Sequence, residues 1–194
     1  MKKILLATTS ETRKKILISA GIKFICKPPL IDEEEEKEKI KKKAPEKICQ
    51  ILAKKKSTLT SLKYNSYYVL GIDTCIIFKK KFLSKPKSKK NAEKMLVELN
   101  GKKHKIYSSI YISKKGKKIW SYNDKAILEI KKMKKNEIKT YIKKLNQKKM
   151  ESSGLYQIED MGIKLFKKIN GSYFTILGLP LIPLLNFLRK KNFI

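Results

Sequence analysis

The sequence predicts an α/β fold, a mixed twisted sheet with flanking helices and a central crevice. Three observations predict it. Short apolar runs bounded by turn residues alternate with helical patterns along the chain. Helix starts and stops carry their own residues, with Pro45 suited to a first helical position and Gly21 and Asn100-Gly101 suited to helix ends. The 194 residues are 41% hydrophobic, enough to bury a core as one domain spanning 1–194, with two lobes around a cleft allowed for.

The elements follow in order. Ile4 to Ala7 reads as a buried strand. Thr8, Thr9 and Ser10 follow, and a helical pattern runs from Thr12 to Ala20 before Gly21. Phe24 to Cys26 is a short strand broken by Pro28 and Pro29. The acidic run Asp32 to Glu36 reads as a loop in which one carboxylate is functional and Glu34, Glu35 and Glu36 are solvated. Pro45 to Leu59 is a helix with Ile48, Ile51 and Leu52 on one face. Tyr67 to Ile72 is a buried strand ending at Asp73; Cys75 to Phe78 continues it, and Lys79 to Lys81 turn. A helix starts at Ser88 or Asn91 and runs to Leu99. His104 to Ser113 and Trp120 to Ile130 are strands joined at Gly116. Lys135 to Leu145 is a helix on Ile138, Tyr141 and Ile142. Gly162 to Phe174 holds a strand and an Asn170-Gly171 turn of the hairpin type. The apolar stretch Ile176 to Leu188 is too short for a membrane span and carries Gly178, Pro180 and Pro183. It reads as a buried turn leading into a last helix, Pro183 to Lys190.

The net charge of +31 invites a nucleic-acid reading, which the kind of base argues against. Of 48 basic residues only Arg13 and Arg189 are arginine, leaving 46 lysines spread along the chain. Nucleic-acid readers lean on arginine, whose planar fork grips phosphates and guanines. No aromatic residues alternate with the basic ones in a stacking pattern. The lysine-rich composition looks like codon bias, and no specific nucleic-acid partner is expected, although the charge raises encounter rates with polyanions. Cys26, Cys49 and Cys75 have neither disulfide nor metal spacing and read as free thiols, Cys75 in the core. With one histidine, His104, a metal site must be built from oxygen donors, which suits magnesium or manganese. The apolar part of the Met-Lys-Lys start is too short for a signal peptide. A soluble, cytoplasmic protein with no membrane partner is expected, and homodimer formation is left open.

Three polar clusters carry the chemistry. A strand opening through Thr8, Thr9 and Ser10 into a helix makes an anion site, because free N–H groups and the helix dipole both favour negative charge there. Arg13, three residues on, lies on the same side of the first turn and could grip a phosphate with two hydrogen bonds. The alternative for Ser10 is a plain helix cap. Asp73 closes an apolar strand, where α/β enzymes place reactive groups. Its alternative is a turn cap. Ser84-Lys85-Pro86 holds a lysine ahead of a rigid proline; Lys85 could also be one more surface lysine. A carboxylate, a guanidinium and an ammonium together suggest phosphate chemistry with a divalent cation.

These residues resemble the Maf-like nucleoside triphosphate pyrophosphatases over nearly the whole chain. Leu6-Ala7-Thr8-Thr9-Ser10-Glu11-Thr12-Arg13 is similar to that family's Ser-x-x-Arg phosphate loop, and Ile31-Asp32-Glu33 to its acidic motif. Leu52-Ala53-Lys54-Lys55-Lys56 resembles its Leu-Ala-x-x-Lys helix, Gly71-Ile72-Asp73-Thr74 its Gly-x-Asp motif, and Lys85-Pro86 its Gly-Lys-Pro. Leu99-Asn100-Gly101 with His104, then Gly154-x-Tyr156-Gln157-Ile158-Glu159 and Gly171 to Leu181, follow in the family's order. The chain departs at Glu11-Thr12, where Pro-Arg is usual, at Ser84 for glycine, and at Glu159-Asp160 for glutamine and glycine.

The resemblance implies an inosine-triphosphatase-like scaffold with a nucleotide-binding cleft. The implied reaction is hydrolysis of nucleoside triphosphates, canonical or modified, to the monophosphate and pyrophosphate. It assigns Ser10, Arg13, Lys56 and Lys85 to the phosphates, Glu33 and Asp73 to a divalent cation, magnesium or manganese, and Asp73 to the attacking water. Glu159 would accept a hydrogen bond from the base. Glu159 resembles a branch acting on modified guanine nucleotides and Thr74 a branch acting on thymidine and uridine triphosphates, so the base stays open. The alternatives are a pyrophosphatase for inosine triphosphate on a related scaffold, and a catalytically weak nucleotide- or RNA-binding regulator linked to cell division.

Overall fold

Every residue of Ile4–Ala7 is buried, and this four-residue strand, β1, sits at the centre of the amino-terminal architecture. The computed structural model describes residues 2–146, 150, 155, 156 and 158–194. Gly154 and Gln157 of the carboxy-terminal motif lie outside the described residues. The chain forms two compact units, one of Met1–Cys75, Tyr107–Lys125 and Ser172–Ile194, the other of Ile76–Ile106 and Ala126–Gly171.

In the first unit β1 pairs in parallel with β2 (Ile25–Lys27) on one side and with β3 (Tyr68–Phe78, here up to Cys75) on the other. The first unit also holds most of β5 (Lys103–Lys114) and of β6 (Lys117–Ile130). Because side chains alternate across a strand, each face of the sheet takes its own apolar set. Ile4, Leu6, Leu70 and Ile72 join Ile16 and Leu17 of α1 (Glu11–Ser19) and Leu184, Phe187 and Leu188 of α7 (Leu181–Lys190) in one core. Leu5, Ala7 and Val69 form a second cluster on the opposite face.

α3 (Pro45–Lys63) begins at its proline and runs one turn past Leu59. It lies unusually close to β3, because β3 carries no side chain at Gly71: a Cβ there would stand 2.4 Å from both the Ala53 carbonyl oxygen and the Ser57 nitrogen. Two residues further on, and so on the same strand face, is Asp73. The strand passes straight through Asp73 to Phe78. The expected strand end at Asp73 is therefore corrected, since the β-favouring Cys75, Ile76 and Ile77 carry the extended conformation onward.

The acidic run is also corrected. It is a helix, α2 (Glu33–Ile40), whose first turn is capped by Asp32 accepting from the N–H groups of Glu34 and Glu35. Carboxylates gathered at a helix N-terminus are favoured by the dipole, which a composition reading as solvated loop missed.

The second unit holds β4 (Lys81–Leu83), antiparallel to the end of β3, and β7 (Phe166–Asn170), antiparallel to the end of β6. Lys79 and Lys80 make the tight β3–β4 turn, both with positive φ. α4 (Lys89–Leu99, capped by Ser88) and α5 (Lys135–Lys144) bury Ala92, Leu96, Leu99, Ile138, Tyr141 and Ile142. A short 3₁₀ helix, Met161–Leu165, precedes β7. Gly171 then leads into the four-residue helix α6 (Tyr173–Ile176) of the first unit rather than a second hairpin strand. No helix among the described residues is long and apolar enough to cross a membrane.

Candidate active site

Lys56 is a lysine with almost no access to water, 6% exposed, and its neighbour Asp73 is 5% exposed. A buried charge persists only when paired. The Lys56 Nζ lies 2.7 Å from Asp73 Oδ1 and 2.6 Å from Glu33 Oε2, so one ammonium joins two carboxylates. Three elements meet at this point: α3 supplies the lysine, β3 the aspartate and α2 the glutamate. The other Glu33 oxygen accepts from Lys37 Nζ at 2.6 Å, one helical turn on. The charges alternate, Lys37, Glu33, Lys56, Asp73. Burial pushes the Glu33 carboxyl up, but Lys56 and Lys37 together outweigh it and hold it at about 2. Burial likewise pulls Lys37 down, and its bond to Glu33 more than reverses this, leaving it raised.

Ser10 takes the cap position of α1, its Oγ accepting from the Arg13 N–H at 3.5 Å, while its own N–H donates to Thr8 Oγ1 at 3.2 Å. The Arg13 guanidinium turns inward. Nε donates to the Gly178 carbonyl at 2.9 Å, Nη1 to the Ile72 carbonyl at 3.2 Å and Thr8 Oγ1 at 3.5 Å, and Nη2 to Thr74 Oγ1 at 3.0 Å. These bonds use four of its five N–H donors and tie α1, β3 and the turn after α6 together. Burial lowers its pKa, with Asp73 acting the other way; an arginine stays charged regardless. Gly178 has φ +89°, and a Cβ there would lie 3.0 Å from Thr74 Oγ1. Thr74 also shares a hydrogen bond with the buried Ser108 at 2.9 Å.

Of the residues singled out from the sequence, Ser10, Arg13, Glu33, Lys56 and Asp73 belong to the first unit. Glu33, Lys56 and Asp73 are in direct contact, and Arg13 holds the two residues flanking Asp73. Lys85 and Glu159 belong to the second unit, where both are exposed. The sequence reading gave Arg13 to a phosphate; in the structure its donors serve the protein. Sequence reasoning missed Lys37, although the Glu33–Lys37 spacing of four was readable. It also missed Thr8, Ser108 and Gly178 as partners of the arginine node, for which the sequence holds no periodic cue.

No set of three or more His, Cys, Asp or Glu side chains gathers as ion ligands among the described residues. Two carboxylates reaching for one cationic atom are nevertheless a hard, oxygen-only donor pair. That fits magnesium or manganese, which take one or two carboxylates and complete their shell with water and substrate phosphates.

An α/β sheet with two carboxylates, one of them buried, bridged by an ammonium, beside a hydroxyl-lined helix start, defines a phosphate-handling α/β protein. The model of the family described as Maf-like protein matches residues 3–191, and the chain belongs to that family. It is 39% identical over 191 residues to the nucleoside triphosphate pyrophosphatase of Pelagibacter ubique (strain HTCC1062), covering 97% of this chain and 98% of that protein. It is 35% identical over 191 residues to the 7-methyl-GTP pyrophosphatase of Bartonella quintana (strain Toulouse), covering 98% and 96%. Among solved structures, the Staphylococcus aureus Ham1 protein matches with a TM-score of 0.42 and 18% identity, over 66% of this chain and 72% of that one.

Proposed function

We propose that this chain is a nucleoside triphosphate pyrophosphatase, cleaving the anhydride between the α and β phosphates to give a nucleoside monophosphate and pyrophosphate. The observation that carries the reading is the Glu33–Lys56–Asp73 triad, in which a buried lysine and aspartate meet a partly exposed glutamate where α2, α3 and β3 come together. The named relatives agree with it, being pyrophosphatases along almost their full length.

The geometry supports the following roles. A triphosphate brings roughly four negative charges, and the barrier falls when these are held and neutralised. Lys56 supplies a compact positive charge that can exchange its two carboxylate partners for phosphate oxygens, leaving the carboxylates to a cation. Ser10 and the free N–H groups of the first turn of α1 offer an anion cradle. Arg13 braces that cradle and adds fixed charge behind it. Asp73, 2.7 Å from the Lys56 ammonium, positions the attacking water and takes its proton. Glu33 and Asp73 would hold a divalent ion; when bound, it would draw charge from the anhydride and acidify a bound water.

The test is pyrophosphate release by the full chain from a panel of canonical and methylated triphosphates with manganese or magnesium. We expect equal amounts of monophosphate and pyrophosphate from at least one of them, loss of activity on chelation, and return on adding the ion. Release of inorganic phosphate with a diphosphate product, or no turnover on any member, would remove the reading.

A further inference from the structure

Glu33 is delivered to the triad by a helix that buries nothing. No residue of α2 is buried. Three polar contacts join the segment to α3. Just ahead of the helix the Leu30 N–H donates to Thr60 Oγ1 at 3.1 Å. Glu33 then meets Lys56. One turn further, Glu36 Oε2 bonds Lys55, and Glu36 Oε1 lies 3.7 Å from Lys39. Residues 30, 33 and 36 are three apart and so share one side of the segment, facing 60, 56 and 55 on α3. Glu35 and Glu38 pair within their own segment, with Lys39 and Lys41. In the Glu36–Lys55 link the acid is the shielded member, 13% exposed, and the lysine the open one; in the Glu33–Lys56 link the lysine is shielded and the acid open, at 38%. Ionic contacts at a surface are weak singly, and a segment held by two of them is sensitive to losing either.

We propose that Glu36, through Lys55, is a positioning residue that seats α2 on α3 so that Glu33 reaches Lys56. Its catalytic consequence rests on the pyrophosphatase reading; its structural consequence does not. Both are tested with the full chain carrying Glu36→Gln, Lys55→Met, or the charge exchange Glu36→Lys with Lys55→Glu. Amide hydrogen exchange at millisecond-to-second labelling should show α2 exchanging about 10-fold faster in each single variant, with α3 unchanged and the exchanged pair restoring protection. Pyrophosphate release should fall about 10-fold in kcat/KM for Glu36→Gln in the natural background. It should not fall further when Glu33→Gln is already present, because a residue acting through Glu33 then has nothing to act on. Unchanged α2 protection in both single variants, or losses that multiply in the Glu33→Gln background, would overturn the proposal. If the natural chain hydrolyses no triphosphate, the functional reading fails and the exchange data alone decide the seating.

Discussion

Arg13, partly buried, and Lys56, buried, are both cations of the first unit, and the protein holds them in opposite ways. Arg13 donates to two carbonyls and two hydroxyls spread over three segments, all of them neutral. Lys56 is held by two carboxylates. A rigid guanidinium fork satisfies several fixed acceptors at once, whereas an ammonium is a point charge whose partners are readily exchanged. Where partners are neutral and dispersed, the cation is architecture. Where they are charged and convergent, the same net charge is available to a substrate. The two cations therefore differ in kind: one fixes the loop, and under the proposed function the other would exchange its carboxylates for phosphate.

That division depends first on α3 lying against β3. Gly71→Ala should give the largest structural effect, because the added methyl meets two backbone atoms at 2.4 Å and neither can rotate away. A loss of about 3 kcal/mol in chemical denaturation is expected. Pyrophosphate release should fall with it, since Lys56 and Asp73 would no longer meet. A near-neutral Gly71→Ala would show that the close approach is not what sets the pair. Next comes Lys56→Met, which leaves Asp73 buried without its cation. Removing one partner of a buried pair costs several kcal/mol, and the partial exposure of Glu33 lowers this to about 2 kcal/mol. An equal loss of stability in denaturation at pH 4, where carboxylates begin to protonate, would argue that the pair is not the cause.

The smallest effect lies in the second unit and concerns pH. His104 is buried, its Nε2 2.6 Å from the Tyr156 hydroxyl and its Nδ1 without a partner among the described residues. Burial lowers its pKa to about 4. The unfolded chain takes up a proton near pH 6.5 that the folded chain refuses until about 4. Stability from this group is thus complete above pH 6.5 and is lost as pH falls towards 4. About 1.5 kcal/mol should disappear between pH 6.5 and 5. His104→Phe should flatten that slope in a series of denaturation midpoints, and a slope unchanged by the substitution would place the acid sensitivity elsewhere.

Much of this was legible in the sequence, and the rest was hidden for physical reasons. β1, α1, α4 and α5 each have an apolar run or periodicity with a stop or cap beside it, so their extents differ from the expectation by a residue or two. The strand through Asp73 was read as two stretches with a break at the carboxylate, although its buried lysine partner lets Asp73 sit mid-strand. α2 was read as a loop because it has no apolar face, and its helical state comes from an Asp32 cap and ion pairs along one side. The inward turn of Arg13 was unreadable, since its acceptors come from residues 59 to 165 positions away along with the nearby Thr8.

The most direct test of the account is the turnover of Asp73→Asn, an isosteric change that removes the charge and the base while keeping the shape. The account predicts pyrophosphate release at least about 100-fold slower, with cooperative unfolding preserved. Turnover close to that of the natural chain, from a folded variant, would contradict it.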